Sequence, residues 1–455
     1  MIYNNKMLSE IFKAYDVRGI YGQNLTEDIA YKIGRAFVYF LKCREVIVGA
    51  DMRISSPKLS KAFMKGVTGQ GANAINIGQV CTDAVYFASG LLNKPGVMFT
   101  ASHNPPQYNG MKFCRKNAIP INENTGLRRI RHIIEQNKYQ KKREFGNIIR
   151  KNILNDYVKH VLKFINIKNL QKLKIATDAG NGMAGKMIPL VYKNLPIKIV
   201  PLYFRLDGTF PNHPADPSKY ENLAGLQKYV QEEKCNFGMA FDGDADRIFF
   251  VDENGNIVNS SLISALIIKT ILLKKPKEKI IYNAVCSHIV PETIRQYGGA
   301  AIIERVGHSF IKDTMRKTKA LFACEHSAHY YYRENYRADS GIITSLIISE
   351  IVSNENKPLS ALLNEFRKYC TIEETSIEVS DKNAKLNEIE AIYKQYKKQS
   401  PGKISKLDGI TVEFNDWWFN VRPSNTEPLL RLNLEADSEE LMKEKKKELI
   451  GIIGN

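Results

Sequence analysis

The chain is poor in the features that would assign it to a membrane, an oxidising compartment or a zinc fold. It carries seven cysteines, widely spaced and never as Cys-x-x-Cys, and this odd, scattered count argues against a disulfide framework or a zinc site. A reducing cytoplasm is the expected location. The longest apolar stretch, 262–273, is interrupted by Lys269 and too short to cross a bilayer, so no membrane partner is expected. The N-terminal residues lack the apolar core and cleavage pattern of a signal peptide. Aromatics are not interleaved with Lys and Arg as in a stacking platform, which speaks against nucleic acid. Acidic residues are in deficit, 48 against 66 basic, and the net charge of +18 favours anionic partners without choosing one. Most of this charge reads as solvated surface.

Hydrophobic residues make up 44% of the 455 positions, enough for several cores, and the length suggests three or four domains. Short β-branched runs at 45–51, 96–101, 173–179, 237–241, 279–285 and 320–325 alternate with helical patterns at 27–42, 57–70, 261–274 and 341–353. That alternation is the α/β signature. Three of the runs pass directly into polar loops, "TASHNP", "DGDADR" and "EHSAH". Ligands of α/β sheets gather at the C-terminal ends of strands, so the three loops are expected to face one crevice. From about 371 the pattern changes to closely spaced strands and a final Lys/Glu-rich helix, a small α+β domain. The division expected is 1–150, 151–253, 254–370 and 371–455.

In "TASHNPPQYNGMK", Ser102 follows a strand and precedes an Asn-Pro turn, with His103 and Lys112 as nearby bases. It reads either as a nucleophile or as a serine bonded within its own turn. "DGDADR" alternates Asp242, Asp244 and Asp246, and reads either as an extended loop turning three carboxylates toward one hard cation, for which magnesium fits best, or as an acidic surface turn. An EF-hand is rejected, because its sixth position needs Gly and here is Arg247. "CEHSAHYYYR" sets Glu325, Ser327 and His329 at alternate positions, suited to sugar hydroxyls or to ordinary loop contacts. "RPSNTEP" gathers Arg422, Ser424, Asn425 and Thr426, either a cradle for a phosphate dianion or a hairpin turn. Weaker candidates are Tyr15 and Arg18 in "AYDVRG", and Gly307, His308 and Lys312 in "RVGHSFIK".

Taken in order, these segments resemble the phosphomannomutase/phosphoglucomutase family of the α-D-phosphohexomutases. "GADMRISSP", "DAGNGMAG" and "DGTFPNHPADP" add to the match, which runs from about 12 to 431. The resemblance implies three related mixed-sheet α/β domains and a smaller C-terminal α+β domain around a central cleft. It implies interconversion of hexose 1-phosphate and 6-phosphate, of mannose and glucose, through a phosphoserine at Ser102 and a 1,6-bisphosphate that also acts as activator. Mg²⁺ would be held by Asp242, Asp244, Asp246 and a phosphoserine oxygen, with Arg247 stabilising charge. Lys112, helped by His103 and Arg18, would be the acid/base candidate. Glu325 and Ser327 would hold ring hydroxyls, with His308 and His329 nearby, and Arg422, Ser424, Asn425 and Thr426 would grip the other phosphate.

Four positions depart from the family pattern: Ala50, where Arg is frequent, Asp83, where Pro is frequent, Val285 at an often basic position, and Ala328 in place of Gly. At Val285 one contact in the cleft is expected to be either missing or supplied by His288. A phosphoglucosamine mutase is the rival within the enzymes, disfavoured because Asn425 stands where such a loop carries Gly. Outside them stand a basic nucleic-acid-binding protein and a non-catalytic sugar-phosphate binder. Oligomeric state is not legible.

Overall fold

The computed structural model describes residues 5–139, 144–396, 403–424 and 429–454. Four sheets follow one another along the chain. In the first, the order is Val17–Ile20, Tyr108–Arg115, Gly96–Phe99, Glu45–Ala50, Asn73–Gln79 and Ile148–Arg150. The second runs Ile257–Val258, Ile248–Val251, Phe237–Phe241, Leu173–Asp178, Ile197–Leu202, and the third Ala300–Glu304, Lys279–Asn283, Phe322–Cys324, Tyr330–Tyr332, Ala338–Asp339. The fourth is antiparallel, with Leu429–Ala436 and Trp417–Pro423 at its centre. Two short strands cross the expected divisions. Ile257–Val258 pairs into the second sheet, because the turn at Gly255 (φ 81°) folds it back on Ile248–Val251, and Cys370–Thr371 pairs into the fourth against Glu435 and Ala436.

One pattern repeats in the first three sheets. A buried strand in the parallel part leads into a polar loop, and the chain returns antiparallel beside it: Gly96–Phe99 to Tyr108–Arg115, Phe237–Phe241 to Ile248–Val251, Phe322–Cys324 to Tyr330–Tyr332. The outgoing strands are apolar on both faces, as "FGMAF" shows, since helices or neighbouring sheets cover them on each side. Each loop turns on a non-glycine residue in the left-handed region, Ser102 (φ 50°), Ala245 (φ 60°) and Ala328 (φ 63°). Such conformations cost about 1–2 kcal/mol each and persist where surrounding contacts impose them.

Packing joins the first three units more closely than the fourth. One apolar cluster runs from Ile47 and Met98 through Ile175 and Phe241 to Leu346, whereas the C-terminal residues around Phe419, Leu432 and Leu449 form a cluster of their own. Asp83 reinforces the junction. It is fully buried and accepts from Cys81 Sγ at 2.8 Å, from Tyr157 Oη at 2.7 Å and from the Ser340 hydroxyl. Those partners tie the start of the helix Thr82–Leu92 to the helices Leu154–Val161 and Gly341–Glu355.

Burial pushes the Asp83 carboxyl up from 3.8 to about 6, against the three donors. A carboxyl with a raised folded value withdraws stability as pH climbs through that window, here from about 4 to about 6. The loss amounts to about 3 kcal/mol at about 1.4 kcal/mol per unit. Asp83→Asn should therefore flatten the fall in urea midpoint between pH 4 and 6 relative to the unaltered chain. Parallel pH profiles in the two proteins would refute this account.

Candidate active site

The serine loop is held from below by two guanidiniums. Arg53, fully buried, donates to the carbonyls of Ser102 (2.8 Å), Pro105 (2.8 Å), Tyr108 (2.9 Å) and Asn104, and lies 3.3 Å from Asp51. Arg18 donates to the Ala101 carbonyl at 2.7 Å and to the Asn104 side chain, and is paired with Asp16. Charge-assisted bonds of this kind fix a loop that has no regular partner of its own. The Ser102 hydroxyl then donates to Asp242 Oδ2 at 2.6 Å and lies 3.2 Å from His103 Nδ1. The close approach of the two loops needs Gly243, because a Cβ there would fall 2.5 Å from the Ser102 carbonyl oxygen.

Asp242, Asp244 and Asp246 are all buried, with oxygens within 4.8 Å of one another. Burial and then the neighbouring Asp246 and Asp244 drive the Asp242 carboxyl upward. Partners for the trio come from three units. Lys112 reaches Asp244 at 2.7 Å and also Asp246, the Thr82 hydroxyl donates to Asp244, and Arg247 donates to Asp242 at 3.1 Å through both its backbone N and Nε. His329 Nε2 lies 3.4 Å from Asp246. Burial works to discharge Lys112, but Asp244 and Asp246 overcome it and hold the ammonium charged. Asp244 Oδ1 is buried with no hydrogen-bond partner among the described residues, and Asp246 Oδ1 has only His329 at 3.4 Å. An all-oxygen set with an orphaned carboxylate atom fits a hard divalent cation, which would remove both the repulsion and the missing bond.

Arg247 Nη2 also faces Asp216 at 3.5 Å, and His103 is kept neutral by burial and then by Arg247. On the next loop, Glu325 accepts from the Gly307 amide at 3.0 Å, Asn283 Nδ2 at 3.2 Å and the Tyr331 hydroxyl. Ser327 Oγ lies 3.0 Å from His329 Nδ1. The backbones of this loop and the aspartate loop meet in a bridge between Arg247 and His329. His308 stands edge-on to Tyr15 at 5.1 Å, and both its ring nitrogens are buried without a hydrogen-bond partner among the described residues.

These groups open on a cavity of about 910 Å³. Tyr15, Arg18, Ser102, His103, Lys112, Arg247, Gly307, His308, Glu325, Ser327, His329, Arg422 and Ser424 all line it, and the aspartates lie beneath Ser102. Asn425 and Thr426 fall outside the described residues. Lys312 is withdrawn from the cavity into a buried pair with Asp339 at 2.7 Å. His288 does not supply a contact in place of Val285. It packs on Trp418 at 5.4 Å, and its backbone N donates to Glu435, because those C-terminal groups offer the nearer polar and aromatic partners. Val285 itself lines the cavity.

Sequence reading passed over Asp16, Arg53, Thr82, Asp216 and Glu374. Asp16, Arg53 and Asp216 lay inside segments already singled out, but a residue that acts by holding another carries no motif of its own. Thr82 and Glu374 gave no sequence signal at all.

An oxygen-rich pair of loops beneath an oriented serine, opening on a cleft edged with arginines, defines a phosphoryl-transfer site. Profiles described as phosphoglucomutase/phosphomannomutase alpha/beta/alpha domains I, II and III match residues 9–141, 155–255 and 259–369, and the C-terminal domain of the same family matches 374–452. A phosphomannomutase of Methanocaldococcus jannaschii is 39% identical over 446 residues, 97% of each chain. One from Vibrio cholerae is 38% identical, covering 97% of this chain and 98% of its own. The crystal structure of a Burkholderia thailandensis phosphoglucomutase/phosphomannomutase family protein superposes with a TM-score of 0.87 at 29% identity, over 98% of this chain and 97% of that one. The chain belongs to the phosphoglucomutase/phosphomannomutase family. No helix among the described residues is long and apolar enough to cross a membrane.

A bound cation stabilises the folded state that holds it. Magnesium should raise the melting temperature of the unaltered protein, and the rise should shrink in Asp244→Asn, whose chelated form starts lower because Lys112 loses a buried partner. Scanning calorimetry with magnesium and with chelator reads both effects. A full magnesium-induced rise in the variant would remove Asp244 from the cation site.

Proposed function

We propose that the protein is a phosphohexomutase that interconverts the 1-phosphate and 6-phosphate of mannose and of glucose through phospho-Ser102, in a reducing cytoplasm. The observation that carries this reading is the 2.6 Å contact of the Ser102 hydroxyl with Asp242, at the floor of a cavity that also reaches Arg422 and Ser424. A nucleophile at one end and a cationic grip at the other suit a substrate with one reacting and one resting phosphate.

Asp242, Asp244, Asp246 and a phosphoserine oxygen would hold Mg²⁺, which supplies positive charge to the phosphoryl group in flight. The remaining work falls to the chain. Arg247, anchored by Asp242 and Asp216, adds a fixed positive charge beside Ser102. The bond from the Ser102 oxygen to phosphorus breaks as a bond forms from phosphorus to the free sugar hydroxyl. One proton leaves that hydroxyl and one reaches the departing serine oxygen. Neutral His103 is an acceptor and charged Lys112 a donor for this exchange. Arg18 keeps the loop in place through its bonds to Ala101 and Asn104.

The 1,6-bisphosphate so formed turns within the cavity and returns its other phosphate to Ser102. Glu325, with Ser327, His308 and His329, provides hydroxyl partners for the ring in either orientation. Arg422 and Ser424, with Asn425 and Thr426 beyond the described residues, hold the resting phosphate. Free hexose 1,6-bisphosphate would act as activator by restoring the phosphoserine.

Coupled assays with magnesium and bisphosphate should show turnover of mannose 1-phosphate and glucose 1-phosphate, and little of glucosamine 1-phosphate. Ser102→Ala should lose several orders of magnitude in kcat. Undiminished activity in that variant would end the phosphoserine mechanism, and preference for glucosamine 1-phosphate would reassign the substrate.

A further inference from the structure

The resting-phosphate end of the cavity already contains an anion of the protein's own. Glu374 lies where the chain enters the fourth sheet, between Cys370–Thr371 and Thr375–Glu378. Its Oε2 accepts from Arg422 Nη2 at 2.8 Å and from Asn433 Nδ2 at 3.1 Å, and its Oε1 accepts from Arg431 Nη1 at 2.8 Å. Burial acts to raise this carboxyl, but Arg422, then Arg431 and His326, overcome it and hold it down at about 2. It is therefore a full negative charge, and Glu374, Arg422 and Arg431 all line the cavity.

The position on the guanidinium matters. A phosphate grips an arginine in two-pronged fashion either through Nε and one terminal nitrogen or through both terminal nitrogens. Nη2 of Arg422 belongs to each of these edges, and Glu374 already sits on it. An incoming phosphate oxygen on that nitrogen would lie within about 6 Å of the carboxylate, given ordinary hydrogen-bond lengths. Meanwhile Arg422 Nε is buried with no hydrogen-bond partner among the described residues, which leaves the guanidinium donor capacity for a ligand. The cradle is thus aimed by Glu374 and partly neutralised by it.

We propose that Glu374 is a restraining carboxylate: it positions Arg422 and Arg431 while weakening their hold, so that a bound bisphosphate can release this end and turn. This rests on the mutase reading, which requires the two phosphates to exchange places without leaving. An unrestrained arginine pair would bind the dianion more tightly and release it more slowly, a gain in ground-state binding that lowers KM without raising kcat.

The test is the sign of the change in anion affinity. Glu374→Gln should bind inorganic phosphate and hexose 1,6-bisphosphate more tightly by on the order of a hundredfold, the size expected for removing one like charge at about 6 Å near a surface. Its KM and kcat should fall together. Asn433→Asp, which sets a second carboxylate against Glu374 and so adds negative charge near the arginines it holds, should weaken phosphate binding and let more bisphosphate escape into solution. Titration calorimetry with inorganic phosphate reads the first effect, and trapping of released bisphosphate during turnover reads the second. Weaker or unchanged phosphate binding in Glu374→Gln would mean that the carboxylate merely aligns the arginines, and would overturn the proposal. Should that variant fail to fold, unchanged or tighter binding in Asn433→Asp overturns it instead. Absence of mutase turnover in the unaltered protein would defeat the mutase reading, while the phosphate titration would still report on Glu374.

Discussion

Three carboxylates within 4.8 Å of one another in a buried loop are the constraint from which the rest of this structure follows. Such a trio repels itself and raises the Asp242 carboxyl, so the fold must bring compensating groups to it. The compensation arrives from outside the loop's own unit. Lys112 and the Thr82 hydroxyl come from the first sheet region, His329 from the third, and only Arg247 is local. An electrostatic problem in the second unit is thereby solved by contacts that fasten all three units together. Removing one partner from such a set leaves a buried charge unpaired, which costs more than the pair itself contributes.

The repeated strand-loop-strand unit explains how these groups meet. In each copy the loop leaves the end of a strand in the parallel part of its sheet, where α/β proteins bind ligands. The turn is sharp enough in all three to place a non-glycine residue at positive φ. At the first copy that residue is Ser102, the proposed phosphoryl carrier. Arg53 and Arg18 supply the bonds that keep Ser102 in this conformation, so the strain is borne by the surrounding framework and the hydroxyl points at Asp242. Ala328 shows the same geometry without glycine, held by the backbone bridge between Arg247 and His329.

Much of this was legible in the sequence because apolar runs and polar loops alternate cleanly. The helical pattern at 27–42 corresponds to Glu27–Leu41, capped by Thr26, and the run at 237–241 to Phe237–Phe241. The convergence of Ser102, the aspartates and Glu325 followed from strand ends alone. What escaped were residues whose role is relational. Arg53 is a buried cation bonded to carbonyls, Asp216 steadies Arg247, and Glu374 neutralises two arginines distant in sequence. No local pattern encodes a contact between positions 374 and 422. Which of the two alternatives holds at Val285 was not legible for the same reason, since the surroundings of His288 are set by Trp418 and Glu435 in another unit.

The distribution of cores bears on how the site works. The units that carry Ser102, the aspartates and Glu325 share one apolar cluster, so their mutual geometry is fixed by packing. The C-terminal unit, which carries Arg422 and Glu374's partners, has a separate cluster. Polar bonds link it to its neighbour: Val306 N to Asp408 at 2.8 Å, His288 N to Glu435 at 3.0 Å and Asn259 Nδ2 to Thr371 at 3.1 Å. Polar junctions of this kind exchange readily with water, so shifting them exposes little apolar surface. The proposed chemistry and the proposed phosphate grip therefore reside on units joined by different kinds of contact. A centre fixed by shared packing and a phosphate holder attached through polar bonds would suit the proposed intermediate, which must bind in two orientations.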